Sequence, residues 1–234
     1  MSGTLKDPRI ADGLRAQMTL RQKHVATGAR QAGWKVGFGA PAAMEKLKLT
    51  APLVGFVLDC ALLPSGHAAS LTGWRKPAAE AEIAAYLGRD LPADASRDEA
   101  RAAIAAIGPA IELADIDGPT DDVTAILSGD IFQRHVVLGP RDTTRNGARL
   151  DGLKARVARS GTDVAVPDDL QSGTGEIVDI VRHVADVAAA IGDGLRAGQF
   201  IICGSLTPPL LLEPGERDVT LSLEPIGTVS VRFA

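Results

Sequence analysis

The stretch Pro77-Ala-Ala-Glu80-Ala-Glu82-Ile-Ala-Ala-Tyr86-Leu87-Gly88 places two carboxylates one residue apart in otherwise apolar company, and it constrains the chain more than any other segment. Its alanines, first-turn proline, early acids and closing glycine give it helix propensity. As a helix, Glu80 and Glu82 would point about 200° apart. As a strand, with a side-chain period of two, the same glutamates project from one face while Ala81, Ile83 and Ala85 line the other. Only the strand makes a site. Paired carboxylates repel unless a cation lies between them, and oxygen-only ligands favour a hard ion such as Mg²⁺ or Mn²⁺. The alternative is a solvated strand edge or helix face.

A chain of 234 residues can bury a substantial core as one domain, or as one domain with a small N-terminal cap. A net charge of −4 and the absence of a Lys/Arg cluster argue against nucleic-acid or anionic-membrane surfaces, which require concentrated positive charge. No unbroken apolar stretch of membrane-spanning length is present, so a soluble, cytoplasmic protein acting on a small molecule is expected. Cys60 and Cys203 are too isolated for a zinc site and read as buried, reduced thiols.

In chain order, Asp7 to Gly33 reads as helix with a break near Thr19-Leu20. Gly33-Trp-Lys35-Val-Gly-Phe-Gly39 reads as a short strand with Lys35 alone on one face. A short helix over Pro41–Lys48 precedes a strand, Leu53–Asp59, that ends in a carboxylate. Asp94 to Ile107 reads as an amphipathic helix, with Ser96 and Glu99 spaced as a capping box. Ala110 to Ile116 alternates as a strand carrying Glu112. Asp121–Leu127 suggests a short helix and His135–Gly139 a strand. Leu150–Val166 reads as a hairpin turning at Ser160-Gly161, and Glu176–Ile191 as an amphipathic helix. Three strands close the chain, Phe200–Leu206, Val219–Leu223 and Thr228–Phe233. The expected class is α+β, with residues 1–50 a mostly helical segment packed on a mixed β-roll catalytic domain of residues 51–234, the two forming one structural unit.

Glu80, Glu82 and Glu112 would share one kind of strand surface, each among small apolar residues, where an unpaired carboxylate is costly. Together they would call for a divalent ion, which could hold a substrate with adjacent oxygens. Lys35 reads either as an exposed strand lysine or as the positive partner of an anionic substrate, and Asp59 as a strand-end turn residue or a base. Gly37-Phe-Gly39 and Ser172-Gly-Thr-Gly175 lack the rest of a phosphate loop and read as turns. No nucleophile elbow is present, and His24, His67, His135 and His183 are scattered.

These residues resemble a family, the 2-hydroxypentadienoate hydratase and 4-oxalocrotonate decarboxylase group within the fumarylacetoacetate hydrolase superfamily. The resemblance is carried by Gly33-Trp-Lys35-Val-Gly37, Leu58-Asp59, Ala79-Glu80-Ala-Glu82-Ile-Ala and Pro109-Ala-Ile-Glu112-Leu. It is strongest in the tail Leu195-Arg-Ala-Gly-Gln-Phe-Ile-Ile-Cys-Gly204-Ser205-Leu-Thr207-Pro-Pro, continuing through Pro214-Gly215 to Gly227-Thr-Val-Ser-Val-Arg-Phe233. It implies a rolled mixed β-sheet with flanking helices, in which the Glu-Ala-Glu stretch is a strand. It further implies Glu80, Glu82 and Glu112 as ligands of Mg²⁺ or Mn²⁺, Lys35 and Asp59 as catalytic, and Ser205 and Thr207 as binders of the substrate carboxylate. The implied reaction is that of a lyase on a 2-oxo or 2-hydroxydienoic acid: hydration of a 2-hydroxypenta-2,4-dienoate-like substrate through an enolate held at the metal. Decarboxylation of a 2-oxo-3-enedioate is the alternative, followed by acylpyruvate C–C hydrolysis, which would want a water-activating His–Glu pair, and by a catalytically silent subunit. A homo-oligomer is implied, with association with a related pathway enzyme as a further option. The chain departs from the pattern at Asp130, Arg134 and His135, where an Asp-Asn-Ala-Ser-like run is usual. It also departs at Glu176-Ile177 and at His183. These departures leave the metal residues in place and bear on the substrate.

Overall fold

A computed structural model describes residues 3–234. In chain order its elements are α1 (Pro8–Ala26), β1 (Gln31–Gly37), α2 (Pro41–Leu47), β2 (Leu53–Leu58), β3 (Leu62–Leu63), β4 (Ala68–Ala69), β5 (Pro77–Leu87), α3 (Arg97–Ala103) and β6 (Ile104–Asp115). They continue with α4 (Val123–Ser128), β7 (Gln133–Leu138), β8 (Lys154–Arg159), β9 (Thr162–Ala165), α5 (Ile177–Ala190), β10 (Phe200–Ser205), β11 (Leu210–Leu211), β12 (Asp218–Glu224) and β13 (Gly227–Phe233). The class is α+β, as expected.

Two sheets organise the molecule. The larger runs β2-β1-β10-β5-β6-β7-β3, with β11 added beside β5; the smaller runs β4-β13-β12-β8-β9. The large sheet is mixed, since β1 pairs with β10 in parallel but with β2 antiparallel. It is also rolled. Lys35 on β1 and Glu112 on β6 are separated by two intervening strands, which in a flat sheet is about 14 Å, yet the lysine ammonium reaches the carboxylate. Only curvature closes that gap.

The two faces divide by the strand period. Trp34, Val36, Ala81, Ile83, Ile111, Leu113 and Ile201 belong to the main core, where α5 and the small sheet pack. Val57, Ala84, Ala110, Val136, Phe200 and Ile202 form a separate cluster on the concave face, which also carries the glutamates.

Some expectations require correction. Helix α1 is continuous through Thr19, whose hydroxyl donates to the Arg15 carbonyl one turn back and so fits the helix rather than breaking it; the chain is already in β1 by Gln31. The helix expected over Asp94–Ile107 stops at Ala103. Its capping box forms as read, with Ser96 accepting from the Glu99 N–H. Ile104 to Ile107 instead open β6, Ala106 opposite Tyr86 and Ile107 opposite Ala85, because tertiary pairing overrides the helix propensity of the alanines. Within residues 1–50, β1 lies inside the large sheet between β2 and β10. Cys60 is exposed, whereas Cys203 is buried; both are free.

Candidate metal centre

The Pro77–Leu87 stretch is a strand, buried on both faces because the sheet is covered on both sides. Against β6 its register sets Glu80 opposite Glu112 and Glu82 opposite Ala110. Glu82 also faces Ser205 of β10. One carboxylate oxygen from each of Glu80, Glu82 and Glu112 comes within 4.8 Å of the others. Glu82 and Glu112 are buried, and Glu80 is half-buried.

Lys35 is 1% exposed. Its Nζ donates to Glu112 Oε1 and, at 3.4 Å, to the Ile131 carbonyl. The other oxygen, Glu112 Oε2, is buried without a hydrogen-bond partner. Glu82 Oε2 accepts from the Gly204 N–H at 2.6 Å. Gly204 needs its φ of +92°, and a β-carbon there would collide with Thr174. The Ser172–Gly175 turn, read in the sequence as a failed phosphate loop, therefore packs directly on the residue that orients Glu82. No periodicity marked it.

Electrostatics reinforce this picture. Burial, followed by the charges of Glu112 and Glu80, pushes the Glu82 carboxyl well above the ordinary range. Burial pushes Glu112 up to about 7 against the opposing Lys35 charge, and Glu80 rises for the same reason. For Lys35, burial alone would lower the pKa, but the charges of Glu112, Glu80 and Glu82 more than offset it, so the ammonium is held protonated. Three carboxylates against one ammonium leave an excess of negative charge in a dry pocket. An orphaned oxygen and three convergent hard donors suit Mg²⁺ or Mn²⁺.

The other expected residues divide. Ser205 sits beside Glu82, its hydroxyl only 3.5 Å from the Ala81 carbonyl, while Thr207 Oγ1 donates to the Pro208 carbonyl at 3.1 Å. Asp59 is not brought to this group. Lys35 pairs with Gly55, four residues earlier on the strand, and Asp59 accepts from the Arg30 N–H at 2.9 Å and from Arg30 Nε at 3.2 Å. The backbone N–H of Arg30, then its side chain, hold the Asp59 carboxyl below the usual range.

Asp130, singled out in the sequence only as a departure, is buried beside Lys35. Its Oδ1 accepts from the Phe56 N–H at 3.0 Å, and burial pushes its carboxyl well above the ordinary range. Arg134 pairs instead with Asp117, His135 stacks on Trp74, and His183 Nε2 meets the Pro52 carbonyl. Glu176 pairs with Arg97. Among the described residues no histidine hydrogen-bonds a carboxylate of the cluster.

Over 230 residues the sequence is 24% identical to 4-oxalocrotonate decarboxylase of Pseudomonas putida, covering 96% of this chain and 85% of the relative. It is 27% identical over 232 residues to 2-hydroxyhexa-2,4-dienoate hydratase of Comamonas testosteroni, covering 96% and 86%. The structure of 4-oxalocrotonate decarboxylase from Pseudomonas putida G7, complexed with magnesium and adipate, superposes with a TM-score of 0.87 at 22% identity, covering 99% of this chain and 90% of that one. Residues 25–234 match the fumarylacetoacetate (FAA) hydrolase C-terminal family, and the chain belongs to it.

Proposed function

We propose that the protein is a divalent-metal-dependent lyase acting on a small 2-oxo or 2-hydroxydienoic acid, hydration of a 2-hydroxypenta-2,4-dienoate-like compound being the leading reaction. The observation that carries this reading is Lys35, buried and paired to one oxygen of Glu112 while the other oxygen has no partner. The names of the hydratase and decarboxylase relatives support the same chemistry.

Glu80, Glu82 and Glu112 would hold Mg²⁺ or Mn²⁺. When bound, that ion would supply Lewis-acid polarisation of the adjacent carboxylate and 2-oxo oxygens of the substrate. The remaining work falls to the chain. The Gly204 N–H fixes Glu82. Lys35 has three donor positions and can hold or deliver a proton at the substrate carbon chain. Ser205, with only a 3.5 Å contact, has its hydroxyl free for the substrate carboxylate, and Thr207 would have to turn from Pro208 to join it. The apolar cluster around Val57, Ala84 and Phe200 keeps water out of the floor. Among the described residues no histidine meets the cluster, which speaks against the C–C hydrolase reading, and its intact carboxylates speak against a silent subunit.

The test is to incubate protein and Mg²⁺ with 2-hydroxypenta-2,4-dienoate and follow loss of dienol absorbance, with 4-oxalocrotonate in parallel. Turnover of the first supports hydration and of the second decarboxylation; turnover of neither sinks the assignment. The family resemblance alone supports a homo-oligomer and association with a related pathway enzyme, and light scattering on the purified protein tests the former.

A further inference from the structure

Glu112 faces two demands. One of its oxygens takes the Lys35 ammonium; the other is buried without a partner, and Glu112 belongs with Glu80 and Glu82 to the cluster that would hold a divalent ion. A cation on the second oxygen would repel the ammonium on the first. Lys35 then needs another anion, and Glu80 and Glu82 belong to the same cluster.

One further carboxylate lies beside the lysine. Asp130 is 4% exposed; its Oδ1 is held by the Phe56 N–H, and among the described residues it forms no ion pair with a basic group. A buried carboxylate without a cation partner is costly and calls for an explanation. Its approach to Lys35 is built in at Gly55. A β-carbon there would stand 2.7 Å from Asp130 Oδ1, 2.9 Å from Lys35 Cγ and 3.2 Å from Lys35 Cδ. Only glycine lets the carboxylate and the lysine stem meet. The chain also accepts an unfavourable backbone to put the carboxylate there. Asp130, Ile131 and Phe132 have φ of +53°, +54° and +64°, a left-handed run that non-glycine residues rarely adopt and that is worst for a β-branched side chain. Such backbone persists only where surrounding structure imposes it, and it concentrates at functional positions.

We propose that Asp130 is a positioning residue, the anion to which Lys35 turns when a divalent ion takes Glu112. The inference rests on the metal-site reading above. Asp130 would thus keep the ammonium in the pocket, aimed at the substrate, and would relieve its competition with the ion. Metal affinity should depend on Asp130 only through Lys35, a dependence that a merely structural aspartate would not show.

The experiment is Mn²⁺ titration calorimetry on wild type, Asp130→Asn, Lys35→Met and the double variant. Asp130→Asn should weaken Mn²⁺ binding by about tenfold, within the usual range of coupling between sites. In the Lys35→Met background the same change should have no effect. Undiminished affinity in Asp130→Asn, or equal weakening in both backgrounds, would overturn the proposal. If Asp130→Asn does not fold, the structure of the Mn²⁺-loaded wild type decides. Lys35 Nζ hydrogen-bonded to Asp130 supports the switch, and Nζ still on Glu112 refutes it. Wild type that binds no Mn²⁺ removes the metal reading itself and this inference with it, whereas Mn²⁺ binding indifferent to Asp130 removes this inference alone.

Discussion

Glu80 and Glu112 stand directly opposite one another across the β5–β6 ladder. Like charges in that relationship destabilise a sheet, and here a third carboxylate, Glu82, joins them. A divalent ion should therefore act on stability as well as chemistry. At a hundredfold excess over its Kd, a ligand binding only the native state contributes about 2.7 kcal/mol, equivalent to a rise in Tm of roughly 5–10 °C for a chain of this size. Melts in EDTA and in Mg²⁺ or Mn²⁺ should differ by that order, and Glu82→Gln should lose most of the difference. Superimposable melts of the wild type would refute the metal site.

Without metal, the pH dependence has a defined sign. Glu80, Glu82 and Glu112 have raised carboxyl pKa values, Glu112 about 7, so the native state binds more protons than the unfolded chain. Their contribution to stability is fully present below the ordinary carboxylate pKa and is lost as pH rises through about 7. Opposing groups are the depressed carboxyls, such as Asp7 and Asp142, which lie below their ordinary value of 3.8, and the imidazoles of His135 and His183, which burial lowers below 6.5; both act below the upper part of this window. Urea unfolding in EDTA should show stability falling from pH 6.5 to pH 8, above the range in which the lowered imidazoles of His135 and His183 act in the opposite sense, with a shallower fall in Glu112→Gln. A rise over that interval would contradict the electrostatics described.

Much of this arrangement was legible in the sequence because strand periodicity and short motifs are local. Alternation around Glu112, the Ser96–Glu99 capping box and the Ser160-Gly161 turn all correspond to what forms. The Glu80-Ala-Glu82 stretch was not decidable from propensity, because whether it pairs as a strand depends on β6 and β10, distant in sequence. The position of Asp59 was likewise not decidable from local pattern. It depends on a register between distant strands, which sets Gly55 of β2 opposite Lys35. Asp130 and Thr174 lie in irregular segments whose positions are set by positive φ values and contacts with distant glycines, and no periodic signal reports those.

Gly204 offers a test of the irregular part of the site. Its φ of +92° and the crowding of Thr174 against the position a β-carbon would take leave no room for alanine. Gly204→Ala should destabilise the protein by about 1–3 kcal/mol, as overpacking does. It should also weaken Mn²⁺ binding by displacing the N–H that holds Glu82. Denaturant midpoints and Mn²⁺ titration measure the two effects, and unchanged Mn²⁺ affinity would show that the N–H to Glu82 is dispensable.

Asp59 provides the contrasting case. At the end of β2 its contacts are with the exposed Arg30, a surface pair of the kind that contributes little. Asp59→Asn should leave both turnover and Mn²⁺ affinity unchanged. Loss of turnover with folding intact would restore it as a participant and would require a motion that brings the end of β2 to Lys35.

Lys35→Met separates the roles of the lysine. Without metal, removing the ammonium leaves Glu112 buried with no cation, and breaking a buried pair in this way typically costs about 3–5 kcal/mol. That loss should appear as a lower urea midpoint in EDTA. With metal bound, the ion supplies the missing positive charge, so most of the deficit should be recovered. Turnover should not recover, because no other ammonium is held within the cluster among the described residues; loss of a proton-transfer group typically lowers the rate by about 10²–10⁴-fold. Stability restored by Mn²⁺ without activity is therefore the expected signature. Activity that returns along with stability would mean that Lys35 serves only to neutralise the carboxylates, and that the proton is carried by another group.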